Sequence, residues 1–284
     1  MGAHMRTAGS RRLSIELKRF RSQSGLTGEQ VAEEMGWSPA KVYRIEGDAV
    51  RVLQRDVLRL LKLYKITGAE QDAVVEVARM ARVKGWWHQY SGAIPEWFQF
   101  YVGLEAEAFA LYSYDSEMVT GLVQTEDYAR AIMSTAPVLD PEDEVDRQIT
   151  VRMERQKRLT AANPPDLWAV LNEAVIRRVV GGAQVMREQL SHLADLSALQ
   201  NVTLQVLPYA AGAHPAMHGS FTVMKFPAPI DPDVVYLEAQ TGALYLEKTE
   251  DVDRYSVMFD HLRAQALSPE ESRTLIAQLA KEAS

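Results

Sequence analysis

The chain has 284 residues, 47% of them hydrophobic, and a net charge of −7 at pH 7. This length is enough for two domains, each with its own hydrophobic core. There is no cysteine, which excludes disulfides, thiol catalysis and cysteine-based zinc sites. No apolar run approaches the roughly 20 residues that cross a bilayer, and the N-terminus lacks the apolar core of a secretory signal. We therefore expect a soluble, cytoplasmic protein.

The first segment, Met1 to Met5 (MGAHM), is typical of a remnant left by a cloning vector. We predict that residues 1–10 are this remnant plus a disordered arm. Periodic apolar positions then predict an all-α domain over residues 11–83. Its helices are expected at 12–23, 28–35, 39–46, 54–65 and 69–82, with a capping box from Thr67 to Glu70 at the start of the last.

The second and third of these helices carry matching start and stop signals. Thr27 and Gln30 can form a capping box, and Gly36 suits the left-handed position that ends a helix. Ser38 is a favoured N-cap, and Pro39 suits the first helical position, which needs no backbone donor. Two short capped helices joined by a tight glycine turn predict a helix-turn-helix, so double-stranded DNA is the first partner to consider.

In this motif the second helix enters the major groove. Its outer face carries Pro39, Ala40, Lys41 and Arg44, which we predict as base contacts. Arg44 can bind guanine through two hydrogen bonds, Lys41 can reach a base or a phosphate, and the two apolar residues can contact a thymine methyl group. The alternative is an ordinary helical hairpin whose basic residues only solvate a surface.

Charge is distributed unevenly along the chain. Residues 6–65 contain 13 Lys or Arg and 7 Asp or Glu, a net of +6, whereas the remainder contains 18 and 31, a net of −13. A basic module joined to an acidic body is expected when one end binds phosphates. For each basic residue alone, a solvated surface charge is the alternative. The predicted DNA-backbone contacts are Arg11, Arg12, Lys18, Arg19, Thr27, Ser38, Tyr43, Arg51 and Arg55.

The stretch from Leu13 to Tyr64 resembles the XRE family of phage-repressor and Cro-like DNA-binding domains. The residues that carry the resemblance are Leu26, Gln30, Ala32, Gly36, Ser38, Val42, Ile45, Glu46 and Gly47. The resemblance implies a structural pair between Arg21 and Glu46. Many relatives carry polar residues where this chain has Pro39 and Ala40, so base reading is expected to depend mainly on Lys41 and Arg44.

Composition changes at residues 84–98, which we predict to be an aromatic linker. Trp86, Trp87 and Trp97 lie within twelve residues. Large aromatic side chains are usually buried, so packing of the linker is one interpretation. A binding edge for a partner or ligand is the other.

Residues 99–284 are predicted to form an α+β domain with a small sheet covered by helices. Short β-branched segments predict strands at 167–171, 202–207, 220–226 and 234–238. Helices are predicted at 102–111, after Thr125, and at 142–159, 173–180, 184–198, 251–264 and 269–282. The helix at 142–159 interleaves arginines with acids, which favours a solvated, ion-paired surface over a second nucleic-acid site.

The loop 208–220, rich in small residues, is a candidate contact region for a ligand or partner, or else a plain connector. His214 and His218 have metal-like spacing, but Pro215 indicates a loop, so no metal is predicted. Glu238, at the end of a strand, is either a functional acid or simply exposed. The predicted partner or ligand surface consists of Trp86, Trp87, Trp97, Tyr209, His214, His218 and Glu238. No phosphate loop, dinucleotide fingerprint or nucleophile elbow is present, so we predict no cofactor and no enzyme.

Residues 100–280 resemble the C-terminal domain of actinobacterial XRE-type regulators of the WhiJ kind. The matching segments are 121–130 (GLVQTEDYAR), 172–182 (NEAVIRRVVGG), 205–208 (QVLP), 219–221 (GSF) and 234–238 (VVYLE). The resemblance implies a transcriptional regulator, antitoxin-like or developmental, controlled by a small acidic protein encoded nearby.

The sequence therefore predicts a dimeric repressor on a palindromic operator, nucleoid-associated when bound to DNA, with no membrane partner. Two alternatives remain open. One is an antitoxin-like protein that sequesters a small partner protein. The other is a regulator that senses a small molecule.

Overall fold

The computed structural model describes residues 7–81, 85–90, 92–135, 142–227 and 232–283. The predicted vector remnant and residues 82–84 at the predicted domain boundary lie outside these ranges. The chain divides into two compact units, the first ending at His88 and the second beginning at Gln89. In the described part of the chain, no helix is both long and apolar enough to cross a membrane.

The first unit contains five α-helices that agree closely with those predicted. They are α1 (Ala8–Gln23), α2 (Gly28–Met35), α3 (Pro39–Glu46), α4 (Gln54–Leu63) and α5 (Ala69–Met80). A short 3-10 helix, Trp86–Tyr90, follows.

Two local predictions for this unit are wrong. Residues 8–10 are helical rather than a disordered arm, because Thr7 and Ser10 form a capping box that starts α1 early. The predicted capping box at α5 does not form, since Gly68 is the N-cap there and no side chain caps the helix. The Glu70 carboxylate instead contacts Arg19 at 3.2 Å.

The core of the first unit is built from the inner faces of its helices. Apolar residues recur at helical spacing along each helix, and the faces that carry them are buried, as the periodicity predicts. Leu53 is 39% exposed, because it is the N-cap residue of α4 and lies outside the helix. The buried members of this core include Leu13, Leu17, Phe20, Val31, Ala32, Met35, Val42, Ile45, Val57, Leu60, Leu61 and Tyr64.

The second unit is α+β, as predicted, with a six-stranded mixed sheet flanked by helices. Its helices are α6 (Glu96–Glu107), α7 (Glu126–Met133), α8 (Glu142–Gln156), α9 (Glu173–Arg177), α10 (Ala183–Leu196), α11 (Thr249–Gln265) and α12 (Pro269–Glu282). Its strands are β1 (Ala110–Asp115), β2 (Asp166–Asn172), β3 (Val202–Leu207), β4 (Phe221–Lys225), β5 (Val234–Ala239) and β6 (Gly242–Leu246). The 3-10 helices Gly121–Val123, Lys157–Thr160 and Tyr209–Ala211 lie between these elements.

The strand order is β3-β2-β1-β4-β5-β6. β1, β2 and β3 are parallel to one another, whereas β4, β5 and β6 follow as an antiparallel meander from β1. Parallel strands need crossover connections, and helices supply them between β1, β2 and β3. The carboxyl ends of β1, β2 and β3 therefore lie at the same edge of the sheet.

Two of the six strands were not predicted. The segment predicted as a helix over 102–111 divides into the end of α6 and the start of β1, with Ala108 in extended conformation between them. A short apolar run does not reveal where a helix stops and a buried strand starts. β6 was missed because it is a five-residue edge strand whose partner, β5, is its only neighbour in the sheet.

One face of the sheet packs against α11 to form a buried core. Phe259 of α11 stacks on Tyr112 of β1, with ring centroids 5.3 Å apart. The same core includes Tyr114, Val170, Leu207, Phe221, Val223, Val235 and Leu262. Alternation along β1 turns Ser113 and Asp115 to the opposite face.

The charged helix α8 is not simply a solvated surface, which corrects the prediction for 142–159. Arg155 is buried and forms a bidentate ion pair with Glu105, at 2.7 and 2.6 Å. Arg152 donates to Gln124 at 2.6 Å, and burial lowers its pKa to about 10. Interleaved charges do not show which arginines face inward, because their partners come from distant segments.

Candidate nucleic-acid interface

The turn between α2 and α3 has the geometry of a helix-turn-helix. At the start of α2, Gln30 N donates to Thr27 Oγ1 at 3.2 Å, and Thr27 N donates to Gln30 Oε1 at 2.8 Å. Gly36 adopts a left-handed conformation, φ 68°, that ends α2. Ser38 is the N-cap of α3, but its hydroxyl makes no capping hydrogen bond, and Pro39 occupies the first turn.

The inner face of α3 is fixed to α1. Val42 and Ile45 are buried in the core, and Ser14 Oγ donates to the Ile45 carbonyl at 2.6 Å. Arg21 and Glu46 form the pair that the XRE resemblance implies, with two hydrogen bonds of 2.5 and 2.9 Å. These contacts hold α3 in one orientation, which a reading helix needs.

The outer face of α3 presents three of the four predicted base contacts to solvent. Pro39, Ala40 and Arg44 are exposed, and in the described part of the chain no ion pair engages Arg44. Lys41 is partly buried: its Nζ lies 3.5 Å from the Trp37 ring centroid and 3.6 Å from Asp56 Oδ2. Lys41 must leave Asp56 to contact a base.

Tyr43 lies over the N-terminus of α2. Its hydroxyl donates to Glu29 Oε1 at 2.9 Å, and this hydrogen bond raises the Tyr43 pKa. A Cβ at Gly28 would come within 2.7 Å of the Tyr43 ring, so glycine permits the close approach. Tyr43 and Thr27 therefore both lie at the start of α2, where backbone amides favour phosphate oxygens.

The predicted phosphate contacts differ in their accessibility. Lys18, Arg51 and Arg55 are exposed, whereas Arg19 is engaged by Glu16 at 2.7 Å. Arg12 is partly buried. The predicted phosphate contact of Arg11 is wrong. Arg11 is 2% exposed, because its position on α1 faces the interior, and it cannot reach a phosphate from there.

Replacing Glu46 by Gln is expected to destabilise the first unit by about 1–3 kcal/mol, because Arg21 would lose a charged partner at a largely buried site. Arg21 would keep its hydrogen bond to the Leu26 carbonyl, which limits the loss. Regional hydrogen exchange of the α1 to α3 amides measures this effect. The matched control is Glu76→Gln, whose pair with Arg79 is exposed; a loss as large in the control would contradict a special role for Glu46.

Comparison with known protein families assigns both parts of the chain. A helix-turn-helix domain family matches residues 12–74, which begin within α1 and end within α5. A second family, described as Domain of unknown function (DUF5753), matches residues 98–278, more than half of the chain. The chain belongs to the DUF5753 family. No curated protein and no solved structure gives a match. The N-terminal part is thus a helix-turn-helix DNA-binding domain, typical of regulators.

Within the DUF5753 domain, the structure brings together two of the predicted ligand residues. His214 and His218 line one cavity with Tyr114 and Asn172. His214 Nε2 lies 3.2 Å from Tyr114 Oη. Among the residues that the structure describes, no cluster of three histidine or acidic side chains could hold a metal ion.

The other members of the predicted ligand surface do not line this cavity. Tyr209 is exposed in the loop after β3. Glu238 is exposed near the end of β5 and accepts a hydrogen bond from Tyr236 Oη at 2.8 Å. Trp86 and Trp87 belong to the first unit and pack edge to face, whereas Trp97 belongs to the DUF5753 unit and packs on Phe98. The structure therefore gives no support to one surface that contains all seven predicted residues.

Sequence reasoning missed Tyr114, Ser116, Glu117 and Asn172 as cavity residues. They lie where β1 and β2 end, and they face the 208–220 loop. A polar residue directly after a buried strand was the available signal, but no strand had been predicted at β1, whose first two residues were assigned to the helix over 102–111. The order of strands in the sheet decides which strand ends meet.

Proposed function

We propose that this protein is a sequence-specific DNA-binding transcriptional regulator that reads the major groove with α3. The observation that carries the proposal is the exposed outer face of α3, held by the Arg21–Glu46 pair and carrying Arg44. A rigid helix with an accessible arginine at this place is what base reading requires.

Within the groove, Arg44 binds guanine O6 and N7 through two hydrogen bonds. Ala40 and Pro39 lie at the N-terminal end of the same face and contact a thymine methyl group. Lys41 exchanges Asp56 for a base or a phosphate oxygen. Because its ammonium already has a carboxylate and the Trp37 ring, it contributes less to affinity than Arg44.

The phosphate contacts flank this helix. The Ser38 hydroxyl, which makes no capping bond, and the amides at the start of α2 bind phosphate oxygens. The further contacts are Lys18, Arg51 and Arg55, with Arg12, Arg19, Thr27 and Tyr43 at the margins; Arg11 is not among them. Binding by these charges weakens steeply as salt is raised.

The regulator acts as a homodimer on a palindromic operator, as is general for helix-turn-helix repressors. It belongs to the XRE type, and its DUF5753 domain of the WhiJ kind receives the controlling signal, by the resemblance stated above. A small acidic protein encoded nearby is one source of that signal, and sequestration of that protein would make this chain antitoxin-like. The DUF5753 domain serves control and not catalysis.

Replacing Arg44 by Ala tests the DNA-binding proposal. We expect a loss of about 1–3 kcal/mol, or roughly five- to 150-fold in affinity, together with relaxed preference at one operator base pair. Selection from a random duplex pool identifies the operator for the wild type, and titration at fixed salt compares the variants. The control is Arg79→Ala, an exposed arginine of α5 paired with Glu76. Unchanged affinity and preference in the Arg44 variant would remove α3 as the reading element.

A further inference from the structure

The DUF5753 domain contains a polar cavity of about 250 Å³ at one edge of its sheet. Tyr114, Ser116 and Glu117 line it from the end of β1, and Asn172 lines it from the end of β2. His214 and Met217, from the loop between β3 and β4, cover the other side. The cavity thus lies at the carboxyl ends of the parallel strands.

This edge is where open sheets with parallel strands bind their ligands. After β1 the chain crosses to β2 on one side, whereas after β3 it crosses to β4 on the other side of β1. Connections that leave one edge of a sheet in opposite directions open a crevice between them. The cavity occupies this position and is lined by side chains from three separate segments.

A chain of hydrogen bonds holds the wall of the cavity. Asn172 Oδ1 accepts from Ala174 N at 2.9 Å, which directs its amide nitrogen toward Tyr114 Oη at 3.3 Å. Tyr114 Oη lies 3.2 Å from His214 Nε2, and its hydroxyl donates this hydrogen bond when the neutral ring carries its hydrogen on Nδ1. Burial lowers the His214 pKa, which favours a neutral ring. The polar groups are therefore oriented before any ligand arrives.

The charges around the cavity select against anions. Among the residues that the structure describes, no lysine or arginine lines it, and the one lining carboxylate, on Glu117, is paired with Arg178 at 2.7 Å. The other lining residues contribute hydroxyl, amide, imidazole and thioether groups, together with Ala216 and Gly219. Met217 is 67% exposed at the mouth and offers an apolar contact to the face of a ring.

We propose that this cavity binds a small uncharged molecule rich in hydroxyl or amide groups, of the size of a monosaccharide or a nucleoside. Hydroxyl and amide groups of the ligand exchange hydrogen bonds with Ser116, Asn172 and His218, and Met217 covers its less polar face. Its role as an effector site rests on the proposed function, whereas the binding itself does not.

The chain has no cysteine, so one introduced thiol reports on the cavity alone. Met217→Cys places that thiol at the mouth, and Val257→Cys places a control thiol on α11, which contributes no lining residue. Both positions are exposed in the parent chain. The rate of modification by a thiol reagent is measured with adenosine, cytidine, glucose or myo-inositol, and with adenosine monophosphate and glucose 6-phosphate for comparison.

We expect at least one uncharged probe to slow modification of Met217→Cys, by about tenfold when the probe is at ten times its dissociation constant, and to leave Val257→Cys unaffected. Tyr114→Phe, added to Met217→Cys, should weaken that probe about three- to tenfold, because Asn172 and His214 lose the hydroxyl between them. Equal slowing at both thiols, slowing by the phosphorylated probes alone, or no slowing by any uncharged probe would overturn the proposal.

The same probe is then added to the DNA titration. A changed operator affinity supports an effector site. Protection of the cysteine without any change in operator affinity leaves the binding site standing and removes its regulatory role. Because thiol protection is measured without DNA, it should be intact in an Arg44→Ala background, so failure of DNA binding and failure of ligand binding are distinguishable.

Discussion

Replacing Glu105 by Gln should lower the free energy of unfolding of the DUF5753 domain by about 3–5 kcal/mol, the cost of leaving a buried charge without its partner. Arg155 has a side chain that is 5% exposed, and Glu105 gives it two hydrogen bonds across α6 and α8. Burial by itself lowers the Arg155 pKa, but the Glu105 carboxylate outweighs burial and the net shift is upward. In the variant the carboxylate is gone, but the guanidinium stays charged because the ordinary pKa of arginine lies far above neutral pH.

Among the described residues, Glu105 is the one carboxylate that forms an ion pair with Arg155. Its guanidinium lies 5.1 Å from the ring centroids of both Phe98 and Tyr101, which are stacked on each other. Arg158, one turn further on, is occupied with the carbonyls of Glu105 and Ala108. The aromatic rings attract a cation only weakly compared with a carboxylate.

Urea unfolding combined with regional hydrogen exchange of α6 and α8 measures this loss, since two-unit chains need a local readout. Glu154→Gln is the matched control, because Glu154 also lies on α8 and its pair with Lys157 is exposed, so we expect less than about 1 kcal/mol there. The double variant Glu105→Gln with Arg155→Met should recover part of the loss. A Glu105→Gln chain as stable as the control variant would show that the pair contributes little.

Replacing Asp115 by Asn should stabilise the DUF5753 domain at pH 8 and have little effect at pH 4. Burial raises the Asp115 pKa from 3.8 to about 7, against a smaller opposing effect of the Ser113 hydroxyl. Ser113 Oγ donates to Asp115 Oδ2 at 2.8 Å, and an asparagine oxygen can accept the same hydrogen bond. The substitution therefore removes the charge and keeps the contact.

The sign follows from proton binding. Between about pH 4 and pH 7 the folded chain keeps a proton on Asp115 that the unfolded chain has released, so the free energy of unfolding falls as pH rises through this window. Above pH 7 the folded chain carries the full cost of an ionised, largely buried Asp115. Because the side chain is partly accessible, we expect this cost to lower the free energy of unfolding by about 2–4 kcal/mol.

Denaturant unfolding of wild type and variant at pH 4, 6 and 8 tests the Asp115 prediction. The difference in stability should grow with pH and level off above pH 7. Asp166→Asn, at the exposed start of β2, is the control, with an expected change below about 0.5 kcal/mol at either extreme. A constant difference across the three pH values would mean that Asp115 is ionised throughout.

The helix-turn-helix could be predicted from sequence because its signals are local. Thr27, Gln30, Gly36 and Pro39 act on neighbouring backbone groups within a turn or two, and the helix bounds of α2 and α3 agree with prediction. The outer face of α3 follows from the same periodicity. The ion pair that Lys41 of this face forms with Asp56, however, depends on how α4 packs against α3, and no local signal specifies that packing.

The burial of individual charged residues was the main failure of the sequence-based predictions. Arg11 resembles Lys18 in sequence context, yet one is buried and the other exposed. Arg155 sits in a helix of alternating charges, and its partner Glu105 lies 50 residues earlier in the chain. A long side chain at the margin of a helix face turns inward or outward according to the groups it meets.

By itself, the sequence determined the two-part organisation, the α2 to α3 motif and most strands of the sheet, because capping, periodicity and charge composition are properties of short segments. Only the tertiary structure decided which strand ends meet. The order β3-β2-β1-β4 places Tyr114, Asn172 and His214 around one cavity, although up to 100 residues separate them. Such a site depends on non-local strand pairing, which local propensity does not encode.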